Sequence, residues 1–231
     1  MKISGLSLDS ARYGAMRSLP VAVSVFAYGM VYGLLTREAD LSFTEAVLSS
    51  GLVFAGSAQF VALDMWTHPL PVAALIFTTF IVNLRHVLMG ASLAPWLDPL
   101  PRRHRWPLLF LMADETWALT YGAIHKDKSD MGFMVGAGAV IWAAWMGATV
   151  TGRMVGTIIP NPEAFGLDFA FTAVFLALLA GLWKGKGDIP PWLVAATTAL
   201  VAHHFIPGKW YIVAGGLAGS LTGLWGNRAD G

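Results

Sequence analysis

The chain has 231 residues, 56% of them hydrophobic and 13% charged, with a net charge of +1 and a mean hydropathy of +0.60. Soluble domains carry about 25% charged residues, so polar groups cannot cover this chain and its apolar surface must face lipid. The near-zero charge and the lack of a basic patch with interleaved aromatics rule out nucleic acid as a partner; the absence of cysteine rules out disulfides, thiolate metal sites and a cysteine nucleophile.

Hydropathy predicts an all-α, polytopic membrane protein with seven to eight hydrophobic segments, some of them broken or re-entrant. The first covers residues 19–35 and follows Lys2, Arg12 and Arg17. It is too long for a signal-peptide core and no A-x-A site follows, so it is expected to be an uncleaved span. The remaining segments cover residues 46–63, 70–93, 106–124, 131–159, 167–183, 192–206 and 210–225. Against the about 20 residues a span needs, the fifth is overlong and the last two are short. Asp98-Pro99-Leu100-Pro101, Pro160-Asn161-Pro162, Pro190-Pro191 and Pro207-Gly208 mark joints too short for linkers, so residues 1–231 are expected to form one transmembrane domain.

Tryptophan supports this division. Trp66, Trp96, Trp106, Trp183, Trp192, Trp210 and Trp225 fall near segment ends, in the headgroup zone that suits an indole, and only Trp117, Trp142 and Trp145 lie well inside. Basic residues leave two topologies open. With every segment crossing, the N-terminal cluster and Arg102, Arg103 and Arg105 lie on opposite sides; with the second segment re-entrant they share a side, but Lys126, Lys128, Lys184 and Lys186 move outside. Gly29-x-x-x-Gly33, Gly152-x-x-x-Gly156 and Gly215-x-x-x-Gly219-x-x-x-Gly223 are small-residue faces, expected to pack helices within the chain.

Polar residues inside the apolar segments are costly, about 2.5–3.5 kcal/mol for a charge at the helix centre, and point to function. In the second segment Gly56-Ser57 is a candidate helix break, with Ser57 as N-cap and the amides of Ala58, Gln59 and Phe60 free to meet a carboxylate. On an unbroken helix, Glu45, Ser49, Leu52, Gly56 and Gln59 would share one face. In the third, Thr79, Asn83, His86 and Gly90 form a polar stripe, and Arg85 needs a counter-charge, either as a fixed ion pair or at a substrate carboxylate. In the fourth, Asp114 and Glu115 are adjacent carboxylates, one to pair with Arg85 and the other to bind an ammonium or cycle a proton. His203-His204 lacks the further ligands a metal site requires, so neither a metal nor a cofactor is expected.

Five blocks stand out: Phe26-Ala27-Tyr28-Gly29, Phe54-Ala55-Gly56-Ser57-Ala58-Gln59-Phe60, Asn83-Leu84-Arg85-His86-Val87-Leu88-Met89-Gly90-Ala91-Ser92-Leu93, Asp114-Glu115 and Pro207-Gly208-Lys209-Trp210-Tyr211. In these blocks the sequence resembles the AzlC family, the large subunit of two-component branched-chain amino acid exporters. The resemblance implies export of valine, leucine, isoleucine and methionine across the bacterial inner membrane, coupling to protons, and a small AzlD-type membrane partner.

From the residues themselves, a zwitterion needs a positive group for its carboxylate and an acceptor for its ammonium in a dry cavity. Gly56, Ser57, Ala58, Gln59, Asn83 and Arg85 are the expected substrate-binding group. Asp114, Glu115 and His86 are expected to bind the ammonium or carry protons, and Phe54, Phe60 and Met89 to form the apolar pocket. No G-x-x-x-x-G-K-[ST] loop is present to drive transport with ATP. Two alternatives are a scaffold subunit whose glycine faces only hold a partner, and an intramembrane hydrolase using Ser57 with His86, His203 or His204.

Overall fold

The structure is a computed structural model that describes residues 6–126, 130–156, 176, 180, 183, 185–206 and 210–229. All regular structure among them is helical, with no strand, as expected of a backbone that must satisfy its own hydrogen bonds in lipid. The helices are α1 (Leu8–Glu38), α2 (Phe43–Val53), α3 (Gly56–Asp64), α4 (Val72–Asn83), α5 (Arg85–Leu97), α6 (Arg102–Phe110), α7 (Asp114–His125), α8 (Gly132–Gly156), α9 (Ile189–Phe205) and α10 (Trp210–Ala229). Leu8–Glu38, Val72–Leu97 and Gly132–Gly156 are long and apolar enough to cross a membrane. The sixth predicted segment, the Pro160-Asn161-Pro162 joint and Pro207-Gly208-Lys209 fall outside the described residues, except for positions 176, 180 and 183 of that segment. The chain divides into two compact units, Met1–Leu63 with Asn83–Asp168 and Asp64–Val82 with Phe169–Gly231.

The first unit is built on α1 and α8. Helix α1 starts well before its predicted apolar run because Ser7 caps it, accepting from the Ser10 amide at 3.2 Å. Asp130 joins the starts of the two helices: its carboxylate accepts from the amides of Ser7 at 3.1 Å and Gly132 at 2.8 Å. Further along, the two backbones nearly touch. A Cβ on Gly33 would run into the Thr149 carbonyl, and one on Gly152 into the Met30 carbonyl, so any larger residue would wedge the helices apart. The contacts advance together, Ala11 with Gly136, Gly29 with Ala148 and Met30 with Gly152, so α1 and α8 run parallel. Arg153 ties this pair to the next loop, donating to Thr36 Oγ1 at 3.2 Å and to the Leu41 carbonyl.

Beside that pair, Met89, Leu93 and Leu97 of α5 pack with Leu108, Met112, Ile124 and Met134 in a buried apolar cluster. In the second unit α9 and α10 pair closely. Gly215 and Gly219 face Ala195 of α9, and the Tyr211 ring meets His203 at 5.0 Å. The glycine faces therefore pack helices within the chain, as their spacing predicts.

Candidate functional site at three helix breaks

Three successive apolar segments of the sequence are interrupted, and each interruption holds the polar residues of its segment. The first separates α2 from α3. Helix α2 begins with a capping box, in which Glu45 N–H donates to Ser42 Oγ at 3.2 Å and Ser42 N–H donates to Glu45 Oε2 at 2.7 Å. It ends where Phe54 turns left-handed, φ 44° and ψ 45°. The break thus falls at Phe54-Ala55, two residues before the predicted Gly56-Ser57. The first bond of α3 runs from Gln59 N–H to the Ala55 carbonyl at 2.9 Å. The amides without an acceptor inside the helix are therefore those of Gly56, Ser57 and Ala58, rather than Ala58, Gln59 and Phe60. Gly56 lets the start of α3 lie close against the Trp145 indole, which a Cβ there would meet at 3.1 Å. Ser57 sits in the first turn of α3, not at its cap, and uses its hydroxyl elsewhere.

The second interruption, at Leu84, is gentler. Leu84 keeps helical angles of −55° and −27°, but Val87 N–H donates to the Leu84 carbonyl at 3.0 Å, an i→i−3 bond. That tightening diverts Val87 N–H from the Asn83 carbonyl, which His86 Nδ1 reaches at 3.2 Å. His86 thus serves the backbone of its own break. The third interruption was not expected from hydropathy. Helix α6 ends at Phe110, and α7 starts at Asp114 after an extended Ala113, φ −95° and ψ 169°. Asp114 and Glu115 therefore occupy the first turn of a helix, where the dipole favours negative charge.

The three breaks meet at Arg85. Its Nη1 lies 3.0 Å from Asp114 Oδ2, and its Nη2 donates to Ser57 Oγ. One guanidinium at the start of α5 thereby joins the first turns of α3 and α7. Only arginine offers a fork that holds a hydroxyl and a carboxylate at once. Two polar atoms here, Arg85 Nε and Asn83 Oδ1, are buried without a hydrogen-bond partner. Such atoms are rare in folded proteins, and one donor and one acceptor suit a zwitterionic or water-bridged guest.

Gln59 and Phe60 occupy a different layer. Gln59 is buried, and both ends of its amide are used: Nε2 donates to Ser49 Oγ at 3.0 Å and to Ser50 Oγ at 3.4 Å, while Oε1 accepts from Trp145 Nε1 at 3.1 Å. Ser49 continues to Tyr32 OH at 2.9 Å and Ser50 to Thr149 Oγ1 at 2.7 Å. Phe60 is 1% exposed, edge-on to Tyr28, Tyr32 and Trp145. Phe54 lies 6.3 Å from the Phe110 ring. Met89 belongs to the apolar cluster below α5.

The sequence left this scaffold unassigned, but two signals foreshadow it. Ser49 and Gln59 share a face in the helical pattern, and the three tryptophans inside segments each find a partner. Trp145 donates to Gln59, Trp142 to the Gly51 carbonyl at 3.2 Å, and Trp117 to Ser92 Oγ at 2.8 Å. Among the described residues no three His, Asp or Glu side chains converge as metal ligands. Ser57 is bonded to a guanidinium, which cannot act as a base.

Fold and site together define a helical membrane protein with an ion-paired polar centre where interrupted helices meet. The family model described as AzlC protein matches residues 20–159, more than half of the 231 residues, and the chain belongs to the AzlC family. It is similar to an uncharacterized membrane protein of Archaeoglobus fulgidus, 29% identical over 93% of this chain and 94% of that one. It is also similar to the branched-chain amino acid transport protein AzlC of Bacillus subtilis, 28% identical over 92% and 86%. A third relative is the inner membrane protein YgaZ of Escherichia coli, 26% identical over 91% and 88%. No solved structure matches the chain significantly.

Proposed function

We propose that this chain is the transport subunit of a secondary exporter of branched-chain and related hydrophobic amino acids, coupled to protons across the inner membrane. A small AzlD-type membrane subunit completes the transporter. The observation that carries the reading is the convergence of three interrupted helices on Arg85, Ser57 and Asp114. Irregular backbone at membrane depth is tolerated where it is buried in protein or lines a watery cavity, and half-helix ends facing such a cavity are a recurrent device for binding substrate. The substrate class is the one for which the Bacillus subtilis relative is named, and the membrane the one for which the Escherichia coli relative is named.

In this reading the amides of Gly56, Ser57 and Ala58, with Arg85, receive the substrate carboxylate, and Asn83 Oδ1 accepts from the ammonium. The acidic start of α7 receives the ammonium and Phe54 backs the aliphatic side chain, while Phe60 and Met89 are committed to helix packing. Gln59 acts by holding α3 in place, and His86 by satisfying the break beside Arg85.

The parallel run of α1 and α8 supports a topology in which segments two, three and four all cross. Two spanning helices that point the same way need an odd number of crossings between them. Segments two, three and four supply three, whereas a re-entrant second segment alone would leave two. The N-terminus and Lys126 then share one side, taken as cytoplasmic, with Arg102, Arg103 and Arg105 opposite.

The test is flux of labelled valine in vesicles containing the full chain with its small partner. Valine efflux that rises with an imposed proton gradient supports the reading; flux indifferent to the gradient removes proton coupling, and no flux removes transport.

A further inference from the structure

Asp114 and Glu115 are neighbours, yet the structure gives them unequal surroundings. Successive residues on a helix point about 100° apart, so the two carboxylates leave α7 in different directions. Asp114 takes Arg85, at 3.0 Å, and Arg85 is further held by Ser57. Moving Asp114 away would strand a guanidinium among apolar segments and unfasten α3 from α7, both costly. Glu115 makes no ion pair among the described residues, and its side chain is exposed. It remains within electrostatic reach of Asp114 on its own helix and Arg85 on α5, and of Tyr28 on α1. On α8, which also packs against α7, the only charged residue is Arg153, engaged at Thr36 and Leu41.

We infer that the two carboxylates divide the work. Asp114 is the standing counter-ion of Arg85, and Glu115 is the residue at which a proton and the ammonium of the substrate replace one another. This rests on the export reading above and deepens it, because the choice of carboxylate fixes the sign of coupling. Were the proton to go to Asp114, neutralising it would release Arg85 to a substrate carboxylate. Proton and substrate would then bind together and travel the same way, which an inward proton gradient cannot turn into export.

At Glu115 the two compete. Facing the cytoplasm, the Glu115 carboxyl gives its proton to water and its carboxylate takes the ammonium. Facing outward, the ammonium leaves and the carboxylate takes up a proton. One proton enters for each substrate that leaves, and the only covalent change is the exchange of that proton between the Glu115 carboxyl and water on each side. Glu115 is thus the coupling residue, and Asp114 a positioning residue that acts through Arg85.

The experiment compares two modes of labelled-valine movement in vesicles containing the full chain and its partner: flux driven by a proton gradient, and valine–valine exchange at equal pH. Glu115→Gln is expected to lose gradient-driven flux but to keep exchange, with KM raised roughly ten- to a hundredfold by the lost charged contact. Its exchange should no longer vary with pH, and Glu115→Asp should recover the gradient response. Asp114→Asn should depress both modes together, with Asp114→Glu restoring part of each.

Gradient-driven flux that survives Glu115→Gln overturns the assignment. So does exchange that keeps the unsubstituted pH profile in that variant, a readout that stands even where Asp114→Asn does not fold. Absence of valine movement in the unsubstituted chain would instead bring down the export reading, and this proposal with it.

Discussion

Replacing Gln59 with leucine separates a scaffold from a binding site. Gln59 lies in the motif that connects the first break to the substrate group, yet its amide is fully engaged inside the helix packing. Leucine keeps nearly the same volume and removes every hydrogen bond. Ser49 retains Tyr32 and Ser50 retains Thr149, so neither hydroxyl is orphaned. Trp145 Nε1 loses its acceptor in a buried position, and a stranded donor costs about 1–3 kcal/mol.

The two short bonds to Ser49 and Trp145 add about 0.6 kcal/mol each, the average for hydrogen bonds between membrane helices. The sum is a loss of about 2–4 kcal/mol, set mostly by the indole. Unfolding of the purified chain in detergent, followed by tryptophan fluorescence with rising denaturant, should show that loss. Valine KM in the folded fraction should stay within about twofold, since a contact absent from the site contributes nothing to binding. Unchanged stability with a KM raised tenfold or more would make Gln59 a substrate ligand and refute the scaffold role.

Other outcomes follow from the same geometry. Gly33→Ala should destabilise the chain by about 1–3 kcal/mol, because its Cβ meets the Thr149 backbone and the helices must separate. Gly122→Ala, with nothing within 4 Å of the new Cβ, should be neutral or gain up to about 1 kcal/mol of helix propensity; equal effects in the same unfolding assay would deny the close α1–α8 approach. Arg85→Lys should cut valine flux at least about tenfold, since a single ammonium replaces the fork that holds Ser57 and Asp114, and a lost charged hydrogen bond is worth about 1.5–3 kcal/mol. The cysteine-free chain permits clean labelling. In intact cells an impermeant maleimide should reach Arg103→Cys from outside and Lys126→Cys only after permeabilisation, and the reverse pattern would contradict the topology.

Much of this was legible in the sequence because lipid enforces strong rules. Apolar runs outlined the helices of both units, and the glycine spacings found their partners within the chain, since close packing in a membrane requires small residues. Arg85 and an acidic partner could be matched from cost alone. The exact place of a break could not. Gly56-Ser57 has the composition of a helix start, but the chain turns at Phe54, an unfavourable left-handed position for a bulky residue, held by packing that no local pattern records. The break before Asp114 was hidden for a related reason, because Leu111-Met112-Ala113 continues the apolar run after Leu108 with no glycine, proline or charge to mark it. Trp145 closes over Gln59 from 86 residues away, a pairing that periodicity cannot express.

Each break, considered alone, is a defect that hydrocarbon should penalise, since it frees backbone groups that have no water to bind. Three breaks scattered through a membrane protein would multiply the penalty. Gathered at one place they offset each other: the start of α5 brings a guanidinium, the start of α7 brings two carboxylates suited to a helix N-terminus, and the start of α3 adds a hydroxyl and free amides. The ion pair then uses only part of what has been assembled. Arg85 Nε and Asn83 Oδ1 remain without partners, and Glu115 remains without a counter-ion among the described residues. A centre meant only to fasten helices would be expected to spend all of its polar groups on itself. One that leaves a donor, an acceptor and a carboxylate unspent fits the proposed guest, an amino acid carrying both charges.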